Sequence, residues 1–435
     1  MGRWEDVYRD KLRSADEAAA LIPDGSFMVQ SLAVGEPPAL LEAIANRARS
    51  GGFSDVRMTG LLPMAASART ILAEDVRDVI HWESMFASGA DRGLIQSGSA
   101  LFTPAFFHQI PRLITEFMDI DIALIGVSRI DRHGYMSLGT NVDVAKAAIA
   151  KADIVLAEVN QHMPRVYGDS WVHISEVTAV IEHDALLNEL PTPPEREEDA
   201  AMGALIAEMI PNGACIQLGI GGVPNAVARS LMNHRDLGIH TEMFVDSMVD
   251  LVENGVANGS QKSFHPGKAL YAFAAGSQRM YEFLDDNPYI EAHPVSYTNF
   301  PPNIARNDNV ISVNSTIEVD LTGQCCSESI GTDQFSGTGG QHDYARGAFD
   351  SKGGKSMIAF YSTARSGEVS RVVSTLRTGA VVTTPRNEVH WIVSEYGAAN
   401  LKGKTTRERA RAMISLAHPK FRDELTADAK RLKYL

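Results

Sequence analysis

Residues 21–44, LIPDGSFMVQSLAVGEPPALLEAI, are echoed by residues 209–232, MIPNGACIQLGIGGVPNAVARSLM. Both run from an apolar pair through Pro, Asp or Asn and Gly into a strand, a short loop, a proline and an Ala/Leu-rich helix. Pro23 maps to Pro211 and Gly25 to Gly213, an offset of 188 each time (211 − 23 and 213 − 25). DIALIGVSRIDRHGYMSLG (121–139) then resembles NVISVNSTIEVDLTGQCCS (309–327) at the same spacing, 309 − 121 = 188. Two separated matches at one offset constrain the fold more than any composition does: they predict two copies of one supersecondary plan. The segment LPTPPEREED (190–199) reads as the linker between them, running into a helix start.

Within each copy, apolar strand runs alternate with amphipathic helical runs, which predicts a largely parallel sheet covered on both faces. Expected strands include FMVQSLAV, DVRMTG, DIALIGV, DIVLAEV, ACIQLGI, GIHTEMF, ALYAFAA, VISVNST, SMIAFYS and VVTTPRNEVHWIVSEYG. Expected helices include PALLEAIANRAR, VDVAKAAIAKA, REEDAAMGALIAEMI and NAVARSLMNHR, with two more in TTRERARAMISLAHPKFRDELTADAKRL. The fold class is α/β, with two tandem similar three-layer domains, 1–189 and 190–435.

Lys plus Arg is 40 and Asp plus Glu 54, a formal net charge of 40 − 54 = −14, which argues against a general nucleic-acid binder. A local Arg or Lys pocket can still hold an anionic ligand. Cys215, Cys325 and Cys326 lack C-x-x-C spacing and read as reduced core residues, which fits the cytoplasm. The start, MGRWEDVYRDKL, carries no apolar signal core, and no apolar run approaches the ~18 residues that span a bilayer. No membrane partner is expected.

Three stretches carry candidate chemistry. In LGIHTEMFVDSMVDL (237–251), Glu242 stands between apolar runs, where ionisation is costly unless something compensates. GIGGVPNAV (219–227) follows a strand and opens a helix, so backbone N–H groups there can approach an anionic ligand. QFSGTGGQHDYARGAFDSKGGKS (334–356) combines glycines with Arg346, Lys352 and Lys355, a backbone cradle plus cations for a phosphorylated or thioester ligand. Neither HTEMFVD nor GQHDY has metal-ligand spacing, so no metal is expected, and no G-x-S-x-G elbow appears.

Together, HTEMFVDS, GIGGVPNAV, QFSGTGGQHDYARGA, SKGGKS and VSEYGAANLKG resemble the acetyl-CoA hydrolase/transferase family of class I CoA-transferases. The length is nearest the 4-hydroxybutyrate, butyrate–acetate and itaconate branches, and the likeness runs from about residue 5 to about 425. It implies two similar α/β domains facing a cleft (NagB/RpiA-like), with the C-terminal domain carrying a nucleophilic glutamate at Glu242. It places CoA-contacting and oxyanion positions on Gly219, Ile220, Gly221, Gly222 and Val223, on Asn314, on Thr338, Gly339, Gly340, Gln341 and His342, and on Lys355. Glu395 of an E-Y-G motif, and Arg165 in NQHMPRVYGDS, are supporting residues. Val245 replaces a common serine, and His342 stands where relatives often carry a small or apolar residue.

The implied activity is transfer of CoA from succinyl-CoA or acetyl-CoA to a short carboxylate by a ping-pong route through a glutamyl-CoA thioester. Acyl-CoA hydrolysis on the same scaffold, or a non-catalytic CoA or sugar-phosphate sensor, are the alternatives. HTEMFVDSMVDL and His342 point to the itaconate/succinate branch, with Arg165 or His342 meeting a far carboxylate; 4-hydroxybutyrate, butyrate or acetate are the other acceptors. No prosthetic group is implied, since coenzyme A enters as a substrate thioester. The family suggests a homo-oligomer, dimer or tetramer.

Overall fold

The computed structural model describes residues 3–191 and 194–435. Thr192 and Pro193 of the expected linker lie outside them. The chain forms two compact units, Met1–Pro191 with Glu242–Asp246 and Leu270–Thr298, and Thr192–Thr241 with Ser247–Ala269 and Asn299–Leu435.

The first unit is built on a seven-stranded parallel sheet. Its order is Ala179–Glu182, Ile154–Val159, Ile122–Val127, Phe27–Gln30, Val56–Leu61, Ile80–Phe86, Leu101–Phe102. Every residue of the interior strand Ile122–Val127 is buried, as an apolar run covered on both faces must be. Helix Pro38–Arg49 follows the first strand and packs Leu40, Leu41, Ile44 and Ala45 into a core with Met28, Met58, Ile80 and Trp82.

The second unit has a six-stranded sheet: Gly238–Ile239, Cys215–Leu218, Val310–Ser315, Lys355–Ala359, Trp391–Ser394 and an antiparallel edge strand, Gly397–Asn400. Helices Glu197–Glu208 and Gly222–Ser230 pack closely because Gly203 has no side chain; a Cβ there would meet Ala226 C at 2.7 Å.

The repeat is visible strand by strand. Phe27–Gln30 maps onto Cys215–Leu218 (27 + 188 = 215), and Ile122–Val127 onto Val310–Ser315 (122 + 188 = 310). Gly25 and Gly213, which precede the first strand of each copy, share φ +79° and +77°. Both sheets carry the same run of five parallel strands, with the first strand of the repeat flanked by the second.

Several expectations change. GIHTEMF is not one strand: it breaks into Gly238–Ile239, in the second unit's sheet, and Met243–Phe244, which pairs with Phe273–Ala274 in the first unit. Glu242 therefore groups with the first unit and not with a C-terminal domain 190–435. The cause is local pairing, since the Glu242 carbonyl accepts from Ala272 N (2.9 Å) and Phe273 N (3.1 Å). In VVTTPRNEVHWIVSEYG, only Trp391–Ser394 and the start of Gly397–Asn400 are strand; Pro385 lacks a ladder donor, and a turn follows it. Ile80–Phe86 and Ala179–Glu182 are strands absent from the expected set.

Candidate active site

Glu242 sits at a bend, half-buried, directly after fully buried His240 and Thr241. Its backbone is held on both sides. Upstream, in the second unit, Lys262 is a buried cation whose Nζ donates to Ile239 O (3.0 Å) and Lys268 O (2.6 Å), and His240 Nδ1 lies 3.1 Å from Asn307 Nδ2. The Lys262 stem lies where a side chain on Gly238 would otherwise be, with its Cγ 2.4 Å from such a Cβ. Downstream, in the first unit, Phe244 is buried against Tyr271 and Phe283, with ring centroids 5.8 and 6.2 Å away. Asp246 then accepts from Ser277 N (3.0 Å) and the Ser277 hydroxyl. An acid placed between Thr241 and Met243 is thus carried on backbone that is pinned rather than on a loose loop.

In the second unit, Gly219–Gly222 leaves the carboxyl end of strand Cys215–Leu218, and helix Gly222–Ser230 begins at once. Gly221 has φ +117° and ψ −174°, with nothing within 4 Å of a Cβ built there, so the position needs glycine for conformation and not for space. Ile220 is 53% exposed, whereas Val223 is buried. Asn314, at the end of the neighbouring strand, forms a reciprocal amide pair with buried Gln217 (3.1 and 3.4 Å), and its Oδ1 is 3.7 Å from a Cβ built on Gly219. The structure therefore brings Asn314 to this loop.

Gly339, at φ +54°, and Gly340 lead into helix Gln341–Asp350, whose first turn carries half-buried His342. Gln341 is buried and donates through Nε2 to Thr384 Oγ1 (3.1 Å). Thr338 Oγ1 donates to buried Glu328 at 3.3 Å. Glu328 also accepts from Thr383 Oγ1 (2.9 Å) and Gln334 Nε2 (3.4 Å), and its carbonyl from Phe335 N and Ser336 N. One buried carboxylate thus ties the whole approach to Gly339 and Gly340. Its partners are dispersed in sequence, so spacing gave no sign of it.

Lys355 is not brought to the Gly219–Gly222 loop. It opens strand Lys355–Ala359, level with Ile311, and its Nζ caps the end of helix Glu197–Glu208 through Met209 O (2.7 Å). Gly219 lies beyond the opposite end of the parallel sheet, about three residues or roughly 10 Å further along the strand direction. Arg165 is also committed: its guanidinium reaches Asp131 (3.4 Å) and Arg129 O (3.1 Å) and lies over Trp171 (4.8 Å). Glu395 binds Ser362 N (3.0 Å) and the Ser362 hydroxyl, tying the loop after strand Lys355–Ala359 to the loop after Trp391–Ser394.

Residues 2–190 match the family model for the acetyl-CoA hydrolase/transferase N-terminal domain, and residues 276–429 the model for its C-terminal domain. Over 99% of this chain and 97% of its own length, the succinyl-CoA:cyclohexane-1-carboxylate CoA transferase of Geobacter metallireducens is 44% identical. The chain belongs to the acetyl-CoA hydrolase/transferase family. The 4-hydroxybutyrate coenzyme A transferase of Clostridium kluyveri is likewise 44% identical, over 98% of this chain and 99% of that one. A crystal structure of RipA from Yersinia pestis superposes with a TM-score of 0.95 at 42% identity, covering 99% of this chain and all of RipA. The α/β fold with parallel sheets in two domains is that of the class I CoA-transferases in this acetyl-CoA hydrolase/transferase family.

Among the described residues, no helix is long and apolar enough to cross a membrane.

Proposed function

We propose that the protein is a CoA-transferase that moves CoA from an acyl-CoA, with succinyl-CoA or acetyl-CoA as first candidates, to a short carboxylate through a covalent intermediate on Glu242. The observation that carries this reading is full-length identity of 44% to two relatives that are both named CoA transferases. The placement of a half-buried glutamate on pinned backbone supports it chemically. Partial desolvation raises the nucleophilicity of a carboxylate, and a fixed backbone limits the geometry it can adopt.

The Glu242 carboxylate attacks the thioester carbonyl and expels CoA thiolate, leaving a mixed anhydride. The thiolate attacks the glutamyl carbonyl and releases the donor acid as carboxylate, leaving a glutamyl-CoA thioester. The acceptor carboxylate then attacks that carbonyl, CoA thiolate leaves, and the thiolate attacks the new acyl group. This yields the product acyl-CoA and restores the Glu242 carboxylate. Each step exchanges one acyl–oxygen or acyl–sulfur bond for another, so no water is consumed. Oxyanions form at each addition, and backbone N–H groups of Ile220–Gly222 and Gly339–Gln341 are the proposed donors, each worth about 2.7–4 kcal/mol of barrier.

Monocarboxylates come first as acceptors, because the named relatives act on cyclohexane-1-carboxylate and 4-hydroxybutyrate. Arg165, already engaged with Asp131, gives no support to a dicarboxylate such as itaconate. The protein is read as a cytoplasmic homo-oligomer.

The test is incubation with acyl-CoA and no acceptor, followed by intact-mass analysis. A CoA-sized, borohydride-sensitive adduct on the Glu242 peptide is expected. Continuous release of free thiol would instead identify a hydrolase, and neither adduct nor thiol would end the enzymatic reading.

A further inference from the structure

Two guanidinium groups of the second unit converge on one aromatic ring and form no ion pair among the described residues. Arg371 Cζ is 5.7 Å and Arg196 Cζ 5.2 Å from the Tyr361 ring centroid. Arg371 is half-buried, and its Nε is buried with no hydrogen-bond partner, whereas Arg196 is exposed. Burial pulls the Arg371 pKa down, Tyr361 and, more weakly, the charge of Glu395 oppose this, and the charge of Arg196 pulls it down further, so the two cations feel each other. Bringing like charges together around a desolvated donor is unfavourable unless an anion joins them.

The nearby acids are already engaged. Glu395 is held by Ser362, Glu195 pairs with Arg229 (2.6 Å), and Asp199 accepts from Tyr361 OH (2.6 Å) and Arg196 N (2.9 Å). The Asp199 bond links the cluster to the glycine loop, because a Cβ on Gly222 would lie 2.4 Å from Asp199 Oδ2. Tyr361, Glu395 and Gly219–Gly222 all follow the carboxyl ends of parallel strands, the edge where open α/β sheets bind ligands.

We propose that Arg196 and Arg371, arranged around Tyr361, are the seat for a phosphate group of coenzyme A. This rests on the CoA-transferase reading and replaces Lys355 in the role that the sequence suggested for it. A doubly charged phosphate or diphosphate matches two forked guanidinium groups better than a single carboxylate does. The seat holds the part of CoA that does not react, and its binding energy is available to the reacting end of the thioester.

The experiment compares initial rates with one acyl group carried on CoA, on 3′-dephospho-CoA and on pantetheine. Arg196→Gln and Arg371→Gln are each expected to raise KM for acyl-CoA about ten-fold or more, the loss of roughly one charge-assisted contact. With acyl-pantetheine, kcat/KM should stay within about two-fold of the unsubstituted protein, because that substrate has no phosphate to lose. If the variants no longer distinguish CoA from dephospho-CoA, the seat holds the 3′-phosphate; if they still do, it holds the diphosphate. Equal losses on acyl-CoA and acyl-pantetheine, or a rise in the acceptor's KM in place of that of acyl-CoA, overturn the proposal. Calorimetry with adenosine 3′,5′-bisphosphate gives a readout independent of turnover. Binding that weakens in both variants of an inactive protein would leave the seat standing while the transferase reading falls. Unchanged binding in an active protein would remove the seat alone.

Discussion

Gly221→Ala isolates backbone conformation from every other property of the glycine loop. The residue has φ +117° and ψ −174°, a region that only glycine occupies readily, and no atom lies within 4 Å of the added methyl group. A steric explanation of any effect is therefore excluded in advance. If the loop keeps its shape, the strain costs about 1–3 kcal/mol. The lower entropy of the unfolded chain offsets about 0.4–1 kcal/mol of that. A net loss of about 1–2 kcal/mol should then appear in urea denaturation of the second unit, with turnover nearly intact. If the loop relaxes, stability is kept and the N–H groups of Gly221 and Gly222 swing away. In that case kcat/KM should fall by about 10²–10³, the usual cost of one lost oxyanion donor. Ala33 is the control. It stands at the equivalent place in the first copy (33 + 188 = 221), at φ +47°, in the left-handed region that alanine enters at about 1–2 kcal/mol. Ala33→Gly should be close to neutral, relief of strain being offset by added unfolded-state entropy. A Gly221→Ala protein with unchanged denaturation midpoint and unchanged kcat/KM would refute the argument that this loop needs its geometry.

Other expectations follow from single side chains. Glu242→Gln should abolish the CoA adduct and lower kcat by about 10⁴ or more while circular dichroism stays unchanged; full turnover, with deamidation excluded by mass, would remove Glu242 from the chemistry. Glu328→Gln keeps the volume of the residue but weakens its bonds to Thr338 and Thr383, so kcat/KM should drop about ten-fold with little change in melting temperature. Asp143 is fully buried, and burial pushes its carboxyl up to about 7. A raised carboxyl favours the protonated folded state, so stability falls as pH rises from about 4 to 7, by up to roughly 4 kcal/mol. Asp143→Asn should therefore stabilise the first unit at pH 8 and flatten its pH dependence, as read by thermal melts. His183 Nδ1 bonds buried Glu158 at 2.8 Å, and this bond raises its pKa. Its stabilisation is complete below the unfolded value near 6.5 and lost as pH climbs through the raised folded value. His183→Ala should erase that slope above pH 6.5.

The duplicated plan was legible because its carriers are local. Gly25 and Gly213 mark one turn, Phe27–Gln30 and Cys215–Leu218 one strand, and apolar runs as complete as Ile122–Val127 have few alternatives. Helix Pro38–Arg49 was readable to the residue for the same reason. That Glu242 interrupts an apolar run was visible too, and the structure shows it half-buried between buried Thr241 and Met243. Its membership of the first unit was not visible, because strand periodicity says which face a residue takes and nothing about which sheet the strand joins. The hidden carboxylates Glu158 and Glu328 were invisible for a related reason: their partners include remote positions, such as Ala39 and Leu40 for Glu158 and Thr383 for Glu328.

Lys355 and Tyr361 show how topology decides what composition cannot. Both lie close in sequence to the glycine-rich segment, and the lysine looks the better anion ligand. Yet in a parallel sheet, the residue that opens a strand and the residue that follows it lie at opposite edges, about 3.3 Å apart for each residue between them. Lys355 opens strand Lys355–Ala359 and Tyr361 follows it, so only Tyr361 shares an edge with Gly219–Gly222. The cations that can serve that loop are then the ones gathered by residues after strand ends, Arg196 and Arg371 around Tyr361, whatever their distance along the chain. Charge density in a glycine-rich segment is thus a poor guide to an anion site unless each cation is first assigned to the beginning or the end of its strand.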